Sequence, residues 1–151
     1  MDEIFLHQLI KNKVLATSLA AWVIAQTIKV ALGVLREKRF NFKWFVGTGG
    51  MPSSHVSGIM ALATSIGFVC GFESYQFAIA FVLALIVMFD AQGVRRSSGR
   101  QAMILNKMLE DIHWKKKVEE KRLKEFLGHT PVEVFAGAVI GILIAIIFFK
   151  I

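Results

Sequence analysis

Apolar residues in this chain gather in four long blocks with short polar breaks, rather than in the half-apolar stripes of soluble helices. The blocks cover residues 14–35, 52–72, 75–92 and 131–149. A bilayer core about 30 Å thick is crossed by roughly 20 mostly apolar helical residues. Each block therefore predicts a transmembrane helix. The first is interrupted by Gln26 and Lys29, and the second is polar only in its opening turn. The third closes on Asp90, and the fourth carries Glu133 near its start. The predicted fold class is all-α: a polytopic membrane protein of about four transmembrane helices, forming a single domain over 1–151. A buried soluble bundle is the competing reading, and the length of the runs weighs against it.

Between the third and fourth blocks lies a loop with a period of its own. Over 99–127 the residues Ile104, Leu105, Met108, Leu109 and Ile112 recur at three- and four-residue spacing, which predicts an amphipathic helix. Trp114 then precedes Lys115, Lys116 and Lys117. Two readings stand side by side. One is a solvated helix or helical hairpin packed on a partner subunit. The other is an interfacial helix, its apolar side in the acyl boundary and its lysines on anionic headgroups.

Composition narrows the class further. Of 151 residues, 55% are hydrophobic and 19% charged, with a mean hydropathy of +0.57. So apolar a chain cannot stay solvated as a disordered tail. Cys70 is the sole cysteine, so no disulfide forms within the chain. The net charge of +7 would suit nucleic acid, but the apolar blocks do not, and no nucleic-acid partner is expected. The start of the chain does not read as a secretory signal. Asp2 and Glu3 come first, no small-residue cleavage site follows, and the first apolar block is too long. It is expected to remain as an anchor.

The basic residues are distributed unevenly. The loop after the first block carries Arg36, Lys38, Arg39 and Lys43. The loop after the third carries Arg95, Arg96, Arg100, Lys107, Lys115, Lys116, Lys117, Lys121, Arg122 and Lys124. The opposite side has Lys11, Lys13 and Lys150. That bias predicts both loops in the cytoplasm and both termini on the other side.

Ionisable side chains in or beside membrane spans are costly and tend to face a polar cavity. Here they share one membrane face. Lys29 and Arg36 close the first block, while Ser53, Ser54 and His55 open the second. Asp90, Arg95 and Arg96 close the third, and His129 and Glu133 open the fourth. Lys29 and Arg36 lie about two helical turns apart, so both can point along one helix face. Arginine offers a donor fork suited to phosphate oxygens. Hydroxyls of Ser53 and Ser54, with the N–H groups opening the second helix, favour an anion there. Pro52 suits the first helical position, and Gly47, Gly49 and Gly50 let backbone approach a ligand.

Two histidines add chemistry. His129 and Glu133 are four residues apart, so on a helix the carboxylate reaches the imidazole, fixes its tautomer and leaves the other nitrogen to attack. His55 suits a general acid. For Asp90 a bridge to Arg95 or Arg96 is the preferred role. His7 and His113 read as capping or surface residues. Without a cysteine cluster or metal-ligand spacing, no metal and no cofactor are expected.

These residues resemble the type-2 phosphatidic acid phosphatase and vanadium haloperoxidase superfamily, and in particular its short divergent membrane branch. Lys29, six residues and Arg36 match its first element, with Glu37 where proline is usual. Pro52-Ser53-Ser54-His55 matches the second, with Ser54 in place of glycine. His129-Thr130-Pro131-Val132-Glu133 matches the end of the third, with Glu for Asp, and Arg95 or Arg96 supplies its arginine across a long insertion. The stretches 49–58, 90–102 and 127–134 resemble the divergent branch most closely.

The resemblance implies a metal-independent phosphatase acting on a lipid phosphate or pyrophosphate. It makes His129 the nucleophile, Glu133 its orienting partner and His55 the acid that then activates water. Lys29, Arg36, Ser53, Ser54 and one of Arg95 or Arg96 would hold the phosphoryl oxygens. Longer members have six spans, so the four spans here surround the pocket with fewer walls and leave a homo-oligomer open. The alternatives are a non-catalytic lipid-phosphate binder, a structural membrane module or a small lipid transporter.

Overall fold

In lipid no water is available to satisfy a backbone amide, so an apolar run of spanning length closes its hydrogen bonds internally as a helix. A computed structural model describes residues 2–38, 50–93, 101–108 and 128–150. Its helices are α1 (Asp2–Ile10), α2 (Lys13–Glu37), α3 (Ser54–Cys70), α4 (Tyr75–Gln92) and α5 (Pro131–Lys150). Residues 101–108 are also helical, and the described residues contain no strand. Three helices, α2, α4 and α5, are long and apolar enough to cross a membrane, whereas α3 is shorter at 17 residues. At 1.5 Å per residue α3 is about 25 Å long. The short α1 lay outside the expected spans, and it precedes the first apolar block.

Capping side chains set the helix starts. Asn12 accepts from the Leu15 N–H at 3.0 Å, and Ser74 from the Phe77 N–H at 3.2 Å. Ser53 accepts from Val56 N–H at the start of α3. Ser53 is thus the cap and Pro52 lies one residue outside it. This corrects the expectation that Pro52 opens the helix: a residue whose hydroxyl caps the first turn displaces proline outward.

Helix α3 runs through the middle and packs on α2, α4 and α5. Its neighbours come close because the facing positions are small. A Cβ on Gly137 of α5 would overlap the carbonyl oxygen of Ser53, and one on Gly141 would overlap that of Ser57. On the other flank, the Ser57 hydroxyl donates to the Ala21 carbonyl at 3.1 Å, and that of Ser18 to the Gly58 carbonyl at 2.8 Å. Ala21, Ala25 and Ala61 are fully buried between the helices. Lipid offers no hydrophobic gain for burying large side chains, so association rests on close packing and interhelical hydrogen bonds.

Large apolar side chains accordingly point outward, among them Val23, Leu83, Phe135 and Leu143. A soluble bundle would bury them. The protein is an all-helical polytopic membrane protein.

Lys13 at the start of α2 lies 4.7 Å from the ring of Phe149 near the end of α5, so both ends of the bundle sequence meet on one side. The connections after α2 and after α4 leave from the opposite side.

Candidate phosphate site

The start of α5 organises this opposite end. Thr130 and Glu133 form a reciprocal cap: the Thr130 N–H donates to Glu133 Oε2 at 3.2 Å, and the Glu133 N–H donates to Thr130 Oγ1 at 3.4 Å. Pro131 takes the first helical position, where its missing N–H costs nothing. The same Oε2 lies 2.9 Å from Nδ1 of His129. A carboxylate oxygen that already accepts from a backbone N–H accepts from Nδ1 as well, so the ring is the donor in this contact. This assigns the neutral ring its tautomer, with the proton on Nδ1 and the lone pair on Nε2.

Backbone hydrogen bonds fix the cluster to its neighbours. The His129 N–H donates to the Ala91 carbonyl at the end of α4, and the Ser53 N–H donates to the Glu133 carbonyl, each at 3.0 Å. Gly137, one turn further along α5, leaves room for Ser53 to approach. The resulting junction joins the N-termini of α3 and α5 to the C-terminus of α4. His129, Ser53 and Ser54 are all buried in it, with His129 only 1% exposed.

Lys29 enters from α2. It is buried, and its charge interacts with that of Glu133. The stem of its side chain runs beneath Gly50, where an added Cβ would sit 3.6 Å from Lys29 Cγ and Cδ. Gly50 has φ +86, a left-handed conformation that favours glycine. The Gly50–Ser53 turn thus covers the lysine and delivers Ser53 to its cap. A carboxylate in contact with an imidazole, near a buried lysine and two buried hydroxyls, can receive an anion and support proton transfer.

Not every expected residue joins this cluster. Arg36 is exposed, and seven residues of helix carry it about 10 Å beyond Lys29 along α2. His55 is the second residue of α3, at the same end, and its side chain is exposed. Asp90 is half-buried in the last turn of α4. Arg95, Arg96, His113 and residues 109–127 lie outside the described residues. His7 is exposed on α1, as a surface residue would be. Among the described residues no three His, Cys, Asp or Glu side chains gather as a metal site requires.

Several contributors were missed in the sequence, and all but one had a signal. Thr130-Pro131-Val132-Glu133 has capping-box spacing, and Gly137 with Gly141 is a GxxxG pair. Ser53, Ser57 and Ala61 form the matching four-residue series on α3. Ala91 contributes only its carbonyl, which no side-chain pattern reveals.

Comparison with known proteins identifies the family. Residues 10–144 match the family model described as the Divergent PAP2 family. The chain is 39% identical over 151 aligned positions to the uncharacterized membrane protein YuiD of Bacillus subtilis (strain 168), covering 93% of this chain and 96% of that protein. No solved structure matches. With the match running from before α2 into α5, through Lys29, the Ser53 cap and the His129–Glu133 pair, this chain belongs to the Divergent PAP2 family.

Proposed function

We propose that this protein is a membrane-embedded phosphatase that removes a phosphoryl group from a lipid phosphate or pyrophosphate by way of a phosphohistidine. The observation that carries the reading is the 2.9 Å contact between His129 Nδ1 and Glu133, made inside a buried junction that also holds Lys29, Ser53 and Ser54. Phosphatidic acid, phosphatidylglycerophosphate and polyprenyl diphosphates are the candidate substrates. Their charged heads reach the level of the cluster while their tails remain in lipid.

In the first step the Nε2 lone pair of His129 attacks phosphorus and the P–O bond to the leaving group breaks. That bond is an ester in a lipid phosphate and an anhydride in a pyrophosphate. His55 gives its proton to the departing oxygen, and Glu133 stabilises the charged ring. Water then attacks the phosphorus, the N–P bond breaks, and His55 takes up the water's proton. Inorganic phosphate leaves with both histidines restored. Lys29, Ser53 and Ser54, with one of Arg95 or Arg96, offset the charge of the transferring group, whereas Arg36 stands too far along α2 to reach it. Positioning and electrostatic stabilisation supply most of the acceleration, and the general acid adds about 10²–10⁴-fold. No step requires a metal or a cofactor.

The test is release of inorganic phosphate from phosphatidic acid by purified protein in detergent, with chelator present. His129→Ala should abolish release while the protein still elutes as a folded species. Equal turnover by His129→Ala would refute the mechanism. Vanadate, which adopts five-coordinate geometry, should inhibit.

A second reading has one observation in its favour. The His129 ring is almost wholly enclosed, which suits a lipid-phosphate binder whose histidine is a structural link. Binding of phosphatidic acid without phosphate release would select it.

The site faces the cytoplasm in this proposal, because the basic loops leave from its end. Cys70 is exposed at the end of α3, opposite the cluster. In intact cells a membrane-impermeant maleimide should label it from outside; labelling only after lysis would reverse the orientation.

A further inference from the structure

Residues 101–108 are helical and inverted with respect to water. Asn106 is buried, whereas Ile104, Leu105 and Met108 are 55%, 48% and 55% exposed. Ala102, one turn before Asn106, is half-buried, so the two share the inward face. Ile104, Leu105 and Met108 have the spacing of a single outward arc. A helix lying on an aqueous surface shows the reverse arrangement, with polar groups outward and aliphatic ones against the protein.

We infer that residues 101–108 lie in the membrane interface, with Ile104, Leu105 and Met108 inserted among the acyl chains beneath anionic headgroups. The surrounding charge fits that occupant. From Ala91 to Leu109 there is no Asp or Glu, while Arg95, Arg96, Arg100 and Lys107 are all basic. Such a segment gains from anionic lipid through its cations and from the acyl boundary through its apolar arc. The segment follows α4, whose last turn exposes Phe89 in a helix long enough to span the bilayer. The chain therefore leaves α4 at the level where acyl chains give way to headgroups. This inference stands apart from the phosphatase reading and holds for a binder as well.

The test uses the full chain in a Cys70→Ser background, with single cysteines introduced as Ile104→Cys, Leu105→Cys or Met108→Cys. Each is labelled with an environment-sensitive fluorophore and reconstituted into vesicles of equal parts phosphatidylcholine and phosphatidylglycerol. Emission should be blue-shifted and lose about half its intensity or more when lipids carry a spin label just below the headgroup. A label at the acyl-chain terminus should quench less. Three exposed positions keep the test decisive if one variant fails to reconstitute. Water-like emission, indifferent to spin-labelled lipid, would overturn the inference. Blue-shifted emission that neither lipid label quenches would overturn it too, in favour of a covering protein such as a second copy.

Discussion

The two ends of the bundle gather opposite kinds of side chain: buried polar groups at one, half-buried or exposed rings at the other. At one end lie Lys29, Ser53, Ser54 and His129, all buried. At the other the rings of Phe68 and Phe72 meet edge to face with centroids 5.4 Å apart, Phe72 meets Phe77 at 5.1 Å, and Phe68 stacks on Phe149 at 5.9 Å. Buried polar groups are costly unless satisfied, and the first end meets that cost with directed bonds: a reciprocal cap, a His–Glu contact and two backbone links between helices. Ring packing has broad minima and tolerates small displacements. The polar end must therefore hold its geometry, while the aromatic end only has to hold the helices together. Substitutions at the first should cost activity before stability, and those at the second stability alone.

The largest expected effect separates the two jobs of Glu133. Glutamine also serves in a capping box, so Glu133→Gln should keep the start of α5 intact. It removes the charge that stabilises an imidazolium on His129. Phosphate release should fall by about 10²–10⁴-fold, with the midpoint of thermal unfolding in detergent nearly unchanged. A comparable loss of both would mean that the carboxylate is mainly structural.

Next comes Gly137→Val. Its Cβ would overlap the Ser53 carbonyl oxygen, forcing α3 and α5 apart at the junction. Overpacking of this kind costs about 1–3 kcal/mol, measurable as earlier unfolding in denaturant titrations. Activity should fall with it, because Ser53 and Glu133 are joined through that contact. Full activity in a destabilised Gly137→Val protein would show that the seam and the site are independent.

Gly137 also shows what the sequence reveals and what it hides. The helix positions were legible: the blocks at 14–35, 75–92 and 131–149 correspond closely to α2, α4 and α5, because lipid forces apolar runs of that length into helices. The second block, 52–72, shortens to Ser54–Cys70, since a capping serine and a glycine-containing turn consume its ends. The gathering of Lys29, Ser53, Ser54, His129 and Glu133 at one end follows from the alternating direction of the helices. Finer relations do not follow from hydropathy. Lys29 and Arg36 share a helix face, yet one is buried and the other exposed, because α3 begins beside only the first. The Ala91 carbonyl that receives the His129 N–H is common to every residue type. Hydropathy does not choose between Arg95 and Arg96 either, and both lie outside the described residues.

At the aromatic end Phe68→Ala should remove two ring contacts, each worth about 0.5–1.5 kcal/mol. The unfolding midpoint should drop while phosphate release per folded molecule stays at the parental value. A fall in turnover at temperatures where the variant remains folded would link the two ends and break the contrast.

The smallest effect concerns Lys13, whose ammonium sits over the Phe149 ring. Lys13 is exposed, and a cation–π contact at such a site is worth about 0.5–1 kcal/mol. Lys13 also opens α2, where the helix dipole disfavours a cation by about 0.3–1 kcal/mol. Lys13→Gln removes both terms, so its net effect on stability should be close to zero. That result alone would not show that the contact is weak. Phe149→Leu loses the ring and leaves the dipole term in place, so a double-mutant cycle separates them. The coupling should be about 0.5–1 kcal/mol, with phosphate release unchanged in all four proteins. Zero coupling would mean that the aromatic end is held by rings alone, leaving charge as the property of the other end only.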